Sequence, residues 1–199
     1  TSTNIKQGDF SWLSNVNVTV PATKLIAYPD IANSSSSYSA IVGQPINARN
    51  VYHFLGVDPA TGVYQFEDKN GNPTASPGLE DLKIILNTDP KFYGGFQNSF
   101  AFKGFHLDVL FSFVKQVAQN ISFGNNSPGT FNGGARNQLI TVMDRWQKPG
   151  DVTMIQRYTT RTDLDQSLAN VYNSDASVRD ASYVRLKNLS LSWELPNSW

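Results

Sequence analysis

The chain has 199 residues, a formal net charge of zero and no cysteine. That length suffices for one domain with a sizeable core, but only 16% of residues are charged, against roughly 25% in ordinary soluble domains. The lack of any Lys/Arg run excludes an electrostatic nucleic-acid binder, and the absence of cysteine excludes a disulfide scaffold and thiol chemistry.

No stretch reaches the roughly 18 apolar residues of a transmembrane helix. Barrel strands carry only alternating hydrophobicity and stay open as a possibility. The opening TSTNIKQGDF lacks the features of a signal peptide and is expected to be an internal start, with any targeting segment upstream.

Period-2 alternation begins at residues 10–20. Even positions carry Phe10, Trp12, Ser14, Val16, Val18 and Val20; odd positions carry Ser11, Leu13, Asn15, Asn17 and Thr19. One face is mostly apolar, the pattern of a half-buried strand. Pro21-Ala-Thr-Lys24 then predicts a turn, with a return strand at 25–28.

Residues 51–57 and 63–67, joined by Asp58-Pro-Ala-Thr-Gly62, predict a hairpin whose arms are too short to span a bilayer. Asp68-Lys-Asn-Gly-Asn72 places oxygen-bearing side chains at alternate positions. An EF-hand calcium loop needs Gly at its sixth position and Glu at its twelfth; here these are Pro73 and Leu79, so a polar turn is expected.

The clearest element is the hairpin 94–115. A two-residue turn at Lys103-Gly104 sets Phe102 opposite Phe105, Phe100 opposite Leu107, Asn98 opposite Val109 and Phe96 opposite Phe111. The other face pairs Ala101 with His106 and Ser99 with Asp108. Arms of about ten residues suit a tilted transmembrane strand. A half-buried sheet in a soluble sandwich gives the same alternation, so the hairpin alone leaves both readings open.

Residues 116–180 form a long connection rich in Gly and Asn at 124–137, with one short helix expected at 137–146. A structureless connection of that length is foreign to a compact domain and typical of outer-membrane barrels, which have short turns on one side and long loops on the other. The segment 181–195 alternates again, with Leu189, Leu191, Trp193 and Leu195 on one face. In unbroken alternation Tyr183, Arg185 and Lys187 continue that face, so the strand is expected to enter lipid around Lys187.

Signals of chemistry are sparse. His106 and Asp108 lie one pleat apart and suggest an acid/base pair, against the simpler reading of a hydrogen-bonded polar face. His53 has no metal-ligand partner at suitable spacing. No nucleophile elbow, P-loop or dinucleotide fingerprint occurs. Trp146, Tyr158 and Tyr172 offer ring faces for sugar stacking, or pack the long connection's own core. No catalytic, cofactor or metal residue is assigned, and the substrate-binding residues stay unknown.

The residues 180–196, DASYVRLKNLSLSWELP, resemble the C-terminal signature of SusC/RagA-like TonB-linked outer-membrane proteins. The stretch 89–111, DPKFYGGFQNSFAFKGFHLDVLF, resembles that family's Pro-x-Phe-x-Gly-Gly hairpin. Three further matches keep the family's order: Gly8-Asp-Phe-Ser-Trp12, the region 43–71 with its Gly56-Val-Asp-Pro-x-Thr-Gly62 core, and Asp144-Arg-Trp146.

The resemblance implies an all-β fold: an antiparallel transmembrane segment of a 22-stranded TonB-dependent transporter barrel in a Gram-negative outer membrane. Strands are expected at about 10–20, 25–28, 94–102, 105–115 and 182–195, with long extracellular loops at about 29–93 and 116–181. The plug domain and the last strands are expected to be absent. The implied function is nutrient import, of oligosaccharides or peptides, without catalysis and without a cofactor. The implied partners are a SusD-like surface lipoprotein, the TonB complex acting through parts outside this chain, and outer-membrane lipid. Residues 79–89, LEDLKIILNTD, stand where the family often carries a longer Gly-Asp-rich insertion, which puts any ion or ligand site there in doubt.

A different class of reading is a soluble β-sandwich that binds carbohydrate. It requires Phe100, Phe102, Phe105 and Phe111 to face a second sheet. A secreted glycoside hydrolase needs two carboxylates across a cleft, and no pair is singled out for that role.

Overall fold

The computed structural model describes residues 1–37, 40–120, 123, 137, 139–158 and 164–195. Its first strands are β1 (Ser2–Gln7), β2 (Phe10–Thr19), β3 (Ala48–Val51), β4 (Phe54–Val57), β5 (Tyr64–Glu67), β6 (Pro73–Thr74) and β7 (Ile84–Asn87). There follow β8 (Phe92–Phe102), β9 (Phe105–Lys115), β10 (Val117–Gln119), the helix α1 (Asp165–Tyr172), β11 (Val178–Asp180) and β12 (Tyr183–Trp193). The protein is therefore mostly β-strand, with one α-helix among the described residues. The chain divides into two compact units.

The first unit comprises Thr1–Ala22, Asp89–Val117 and Asp180–Trp199. It holds one five-stranded antiparallel sheet in the order β1-β2-β8-β9-β12. The β8–β9 hairpin has the expected register, Phe102 opposite Phe105 through Phe96 opposite Phe111. Its turn takes φ 49° at Lys103 and 83° at Gly104, the two positive values that match the right-handed strand twist. Gly94 has a separate reason. A Cβ there would lie 2.0 Å from the Asn17 carbonyl oxygen and 2.7 Å from the Phe113 ring, so only glycine lets β2 and β8 close.

The sequence-based return strand at 25–28 is not formed. Both ladder sides of β2 are already taken, by β8 and by β1, which turns back through Gly8 and Asp9. Leu25 instead exchanges two backbone hydrogen bonds with Gly43 and Gln44, each 2.8 Å long. Strand β1 was not anticipated: STNIKQ has no alternation to read and forms by edge pairing.

A second correction concerns β12. Its register shifts between Leu186, opposite Phe111, and Asn188, opposite Leu110. Lys187 is thus the extra residue of a β-bulge. The bulge puts Val184 and Leu186 on the same face as Leu189, Leu191 and Trp193, and moves Tyr183 and Arg185 to the other. The expected change from charged to apolar along one face does not occur.

The second unit comprises Thr23–Thr88 and Ala118–Arg179, and so holds most of both long connections. They are far from structureless. Tyr52, Val57, Tyr64, Phe66, Phe123 and Val171 form a core, with Phe54, Leu82, Trp146, Leu168 and Ala176 packed against it. Phe54 meets the rings of Tyr64, Phe66 and Phe123 at centroid distances of 5.4–5.9 Å, in the tilted and edge-on geometries that aromatic quadrupoles favour.

The expected strand at 51–57 is split in two. β3 pairs with β7, whereas β4 pairs with β5 and β5 with β6; between them Tyr52 bridges to Ser174. The short helix expected at 137–146 is a 3-10 turn at Ile140–Asp144, and residue 138 lies outside the described residues. So does all of 124–136. Helix α1 and the pair β10–β11 were not anticipated.

Candidate functional site

The sheet of the first unit has one continuous apolar face. Reading across the strands, it carries Phe10, Trp12, Val16 and Val18; Phe92, Phe96, Phe100 and Phe102; Phe105, Leu107, Val109, Phe111 and Phe113; and Val184, Leu186, Leu189, Leu191 and Trp193. Much of it is uncovered: Phe102 is 50% exposed, Phe105 47% and Leu191 70%. A folded soluble monomer rarely leaves so large a contiguous apolar surface in water. Among its described residues the first unit holds no second sheet of the kind a sandwich requires.

Dimensions agree with a membrane wall. Eleven residues at about 3.3 Å each, tilted by about 40°, span about 28 Å, close to the roughly 25 Å apolar band of outer-membrane barrels. Trp12 stacks on Phe100 at 5.7 Å and Trp193 on Phe105 at 5.4 Å.

Two polar residues opposite each other, Ser14 and Asn98, interrupt this face. Asn98 is 8% exposed, and its Oδ1 accepts hydrogen bonds from Trp12 Nε1 at 2.9 Å and Ser14 Oγ at 2.7 Å. Ser14 in turn accepts from Asn4 Nδ2 at 2.7 Å. The opposite face is polar. There Ser99 Oγ donates to Asp108, while His106 Nε2 lies 3.7 Å from Glu194 Oε1. His106 and Asp108 thus each turn to a different partner.

At the end of β11, Asp180 accepts from Lys115 Nζ at 2.5 Å, from the Ser182 amide at 2.8 Å and from the Ser182 hydroxyl. The Lys115 ammonium, with these Ser182 bonds, holds the Asp180 carboxyl well below the usual carboxylate range.

In the second unit, turns are fixed by carboxylates. Asp58 accepts from the Ala60 amide and Thr61 Oγ1; the Thr61 hydroxyl is the main reason its pKa is lowered. Asp68 accepts from the amides of Asn70 and Asn72, which lowers its pKa, Asn72 foremost. The expected polar turn at 68–72 is what forms. His53 Nδ1 lies 2.6 Å from Asp175 Oδ2, and its Nε2 lies 3.9 Å from Glu67, itself paired with Lys83 at 2.7 Å. No group of three or more His, Cys, Asp or Glu capable of holding a metal occurs among the described residues.

The three candidate stacking aromatics separate. Trp146 packs against the unit's own core, its indole over Gly62 and its Nε1 donating to the Pro59 carbonyl at 2.9 Å. A Cβ at Gly62 would lie 2.4 Å from that ring. Tyr158 is 38% exposed. Tyr172, 40% exposed, lines an open cleft of about 310 Å³ with Asn47, Arg49, Thr88, Gln119, Ser177 and Val178. Sequence reasoning missed the other six.

The first unit thus carries one apolar sheet face and one largely polar face, and the second unit carries a polar cleft. No protein-family model matches the chain. It is 27% identical over its whole length to TonB-dependent receptor P3 of Formosa agariphila, and 25% identical over 98% of its length to TonB-dependent receptor P26 of the same organism.

The chain is similar to TonB-dependent receptors over its whole length. It spans only 21% of the length of either receptor. Solved structures agree in fold. The RagAB peptide importer in its open-open state superposes with a TM-score of 0.69 at 20% identity, covering 98% of this chain and 21% of that one. Its closed-closed state gives 0.67 at 24% identity, over 98% and 22%. The two relatives are named receptors, and the superposed structures are those of a peptide importer. The resemblance read from the sequence is thus matched by similarity to TonB-dependent receptors over the full chain.

Proposed function

We propose that this chain is a wall-and-loop portion of a TonB-dependent importer in the outer membrane of a Gram-negative bacterium. The observation that carries the reading is the uncovered apolar face of the five-stranded sheet. It is the surface a barrel presents to lipid, in a chain related throughout to TonB-dependent receptors.

In this reading β1 and β12, the edges of the sheet, continue into neighbouring strands of a closed barrel of 22 strands. The face bearing His106, Asp108, Arg185 and Glu194 lines the lumen, and the second unit stands outside the cell, where solute is first met. The solute is a peptide or an oligosaccharide. A SusD-like lipoprotein covers the outer mouth, and TonB acts through parts of the importer outside this chain. The chain itself contributes binding and enclosure, with no bond made or broken.

The test uses the full-length protein that contains this chain. It should fractionate with the outer membrane, need detergent for extraction, and migrate faster unboiled than boiled on electrophoresis, as closed barrels do. Cells expressing it should take up labelled peptide or oligosaccharide only when TonB is intact. A full-length protein that purifies as a soluble monomer overturns the proposal.

A further inference from the structure

The cleft of the second unit has a floor and a rim of different character. Ser177, 1% exposed, and the half-buried Arg49 lie at the floor; Asn47, Thr88, Gln119 and Tyr172 are exposed around it, and Val178 is the one aliphatic residue among the described lining. Several elements converge to build it: β3 carries Arg49, β10 ends in Gln119, α1 ends in Tyr172, and a 3-10 turn at Asp175–Ser177 holds the serine.

Ser177 Oγ donates to the Ser174 carbonyl at 2.7 Å, so its proton is committed and its oxygen can only accept. It accepts from Arg49 Nη2 at 3.5 Å, the long limit of a hydrogen bond. The guanidinium is thereby oriented without being neutralised by that partner. No acidic residue is among the described residues that line the cleft.

A positively charged floor with a planar fork of donors matches a carboxylate, which arginine binds through two parallel hydrogen bonds. The amides of Asn47 and Gln119 and the Thr88 hydroxyl can both donate and accept, which suits amide or hydroxyl groups beyond the carboxylate. The Tyr172 ring offers an apolar face to the same ligand. At about 310 Å³ the cleft lies at the small end of ligand sites. It admits one terminal unit of a larger solute, not the whole of it.

We infer that this cleft captures the carboxylate-bearing end of the imported solute, Arg49 binding the carboxylate and Tyr172 packing on the unit that carries it. The inference rests on the importer reading and narrows its solute class to anions. A peptide C-terminus and a uronic acid share this chemistry.

The experiment measures dissociation constants for the full-length protein in detergent with two probe pairs. One is N-acetyl-alanyl-leucine against its C-terminal amide; the other is methyl glucuronide against methyl glucoside. In at least one pair the carboxylate member should bind about ten-fold more tightly, the usual strength of a hydrogen bond to a charged group; which pair does so names the source.

Arg49→Gln should abolish that preference, and Arg49→Lys, which keeps the charge without the fork, should retain part of it. Tyr172→Ala should weaken both members and leave their ratio unchanged. No preference in either pair, or a preference that survives Arg49→Gln, overturns the inference. Failure of the importer reading shows separately, as a full-length protein that needs no detergent.

Discussion

Leu186 stands opposite Phe111, and Leu189, three residues along the same strand, stands opposite Val109. Both leucines share one face because Lys187 is bulged out between them. The apolar face of β12 therefore runs its whole length, from Val184 to Trp193.

The bulge gives a prediction opposite to that of unbroken alternation. Leu186→Arg places a charge on the lipid face and should cost about 2 kcal/mol of barrel stability. Arg185, whose guanidinium lies 4.8 Å from the Tyr183 ring on the other face, should tolerate Leu with little loss. Unfolding of the lipid-reconstituted full-length protein by urea, followed by gel shift, measures both. Equal losses would contradict the bulged register.

Asn98 is the acceptor for both the Trp12 indole and the Ser14 hydroxyl. Asn98→Leu, which better matches lipid in hydropathy, leaves two donors unsatisfied in an apolar setting and should destabilise by about 1–3 kcal/mol. Removing the donors as well, in Trp12→Phe/Ser14→Ala/Asn98→Leu, should recover most of that loss in the same urea assay.

The Gly62→Ala substitution tests the loop unit. Its Cβ would overlap the Trp146 ring, and its φ of 72° already disfavours alanine. A loss of about 3 kcal/mol follows from overpacking with backbone strain. Limited proteolysis should cut within 23–88 or 118–179 sooner than in the unaltered protein, while the heat-modifiable gel shift of the barrel stays unchanged.

Much of the five-stranded sheet was legible in the sequence. Phe96, Phe100, Phe102, Phe105 and Phe111 alternate around a Lys103-Gly104 turn, and one register satisfies both pattern and turn. The bulge was not legible, because each half of β12 alternates correctly and only the ladder shows that the halves are out of phase. The cleft was illegible for another reason. Arg49, Thr88, Gln119 and Tyr172 are distant in sequence and are brought together by the β3–β7 and β10–β11 pairs and the Tyr52–Ser174 bridge. Tyr172 alone carried a signal, as one aromatic among three.

Asp180 sets a pH dependence. Its pKa is depressed in the folded protein, chiefly by the Lys115 ammonium, so folding favours its charged form. That stabilisation is present above the unfolded carboxylate value of 3.8 and is lost as pH falls below it. Asp180→Asn should remove this contribution and flatten the loss of stability between pH 4 and lower values, read as urea midpoints across the series.

The most direct measurement uses single introduced cysteines: this chain contains none of its own, and any elsewhere in the full-length protein are first replaced by serine. Spin labels placed singly at positions 107 to 111 and 184 to 191 of the full-length protein in lipid vesicles report collision with oxygen, enriched in lipid, and with a water-soluble nickel chelate. Positions 107, 109, 111, 184, 186, 189 and 191 should favour oxygen; 108, 110, 185, 188 and 190 should favour nickel, with the phase slipping at 187. Labels at 107, 109 and 111 shielded from both reagents would place protein over that face and contradict the barrel wall.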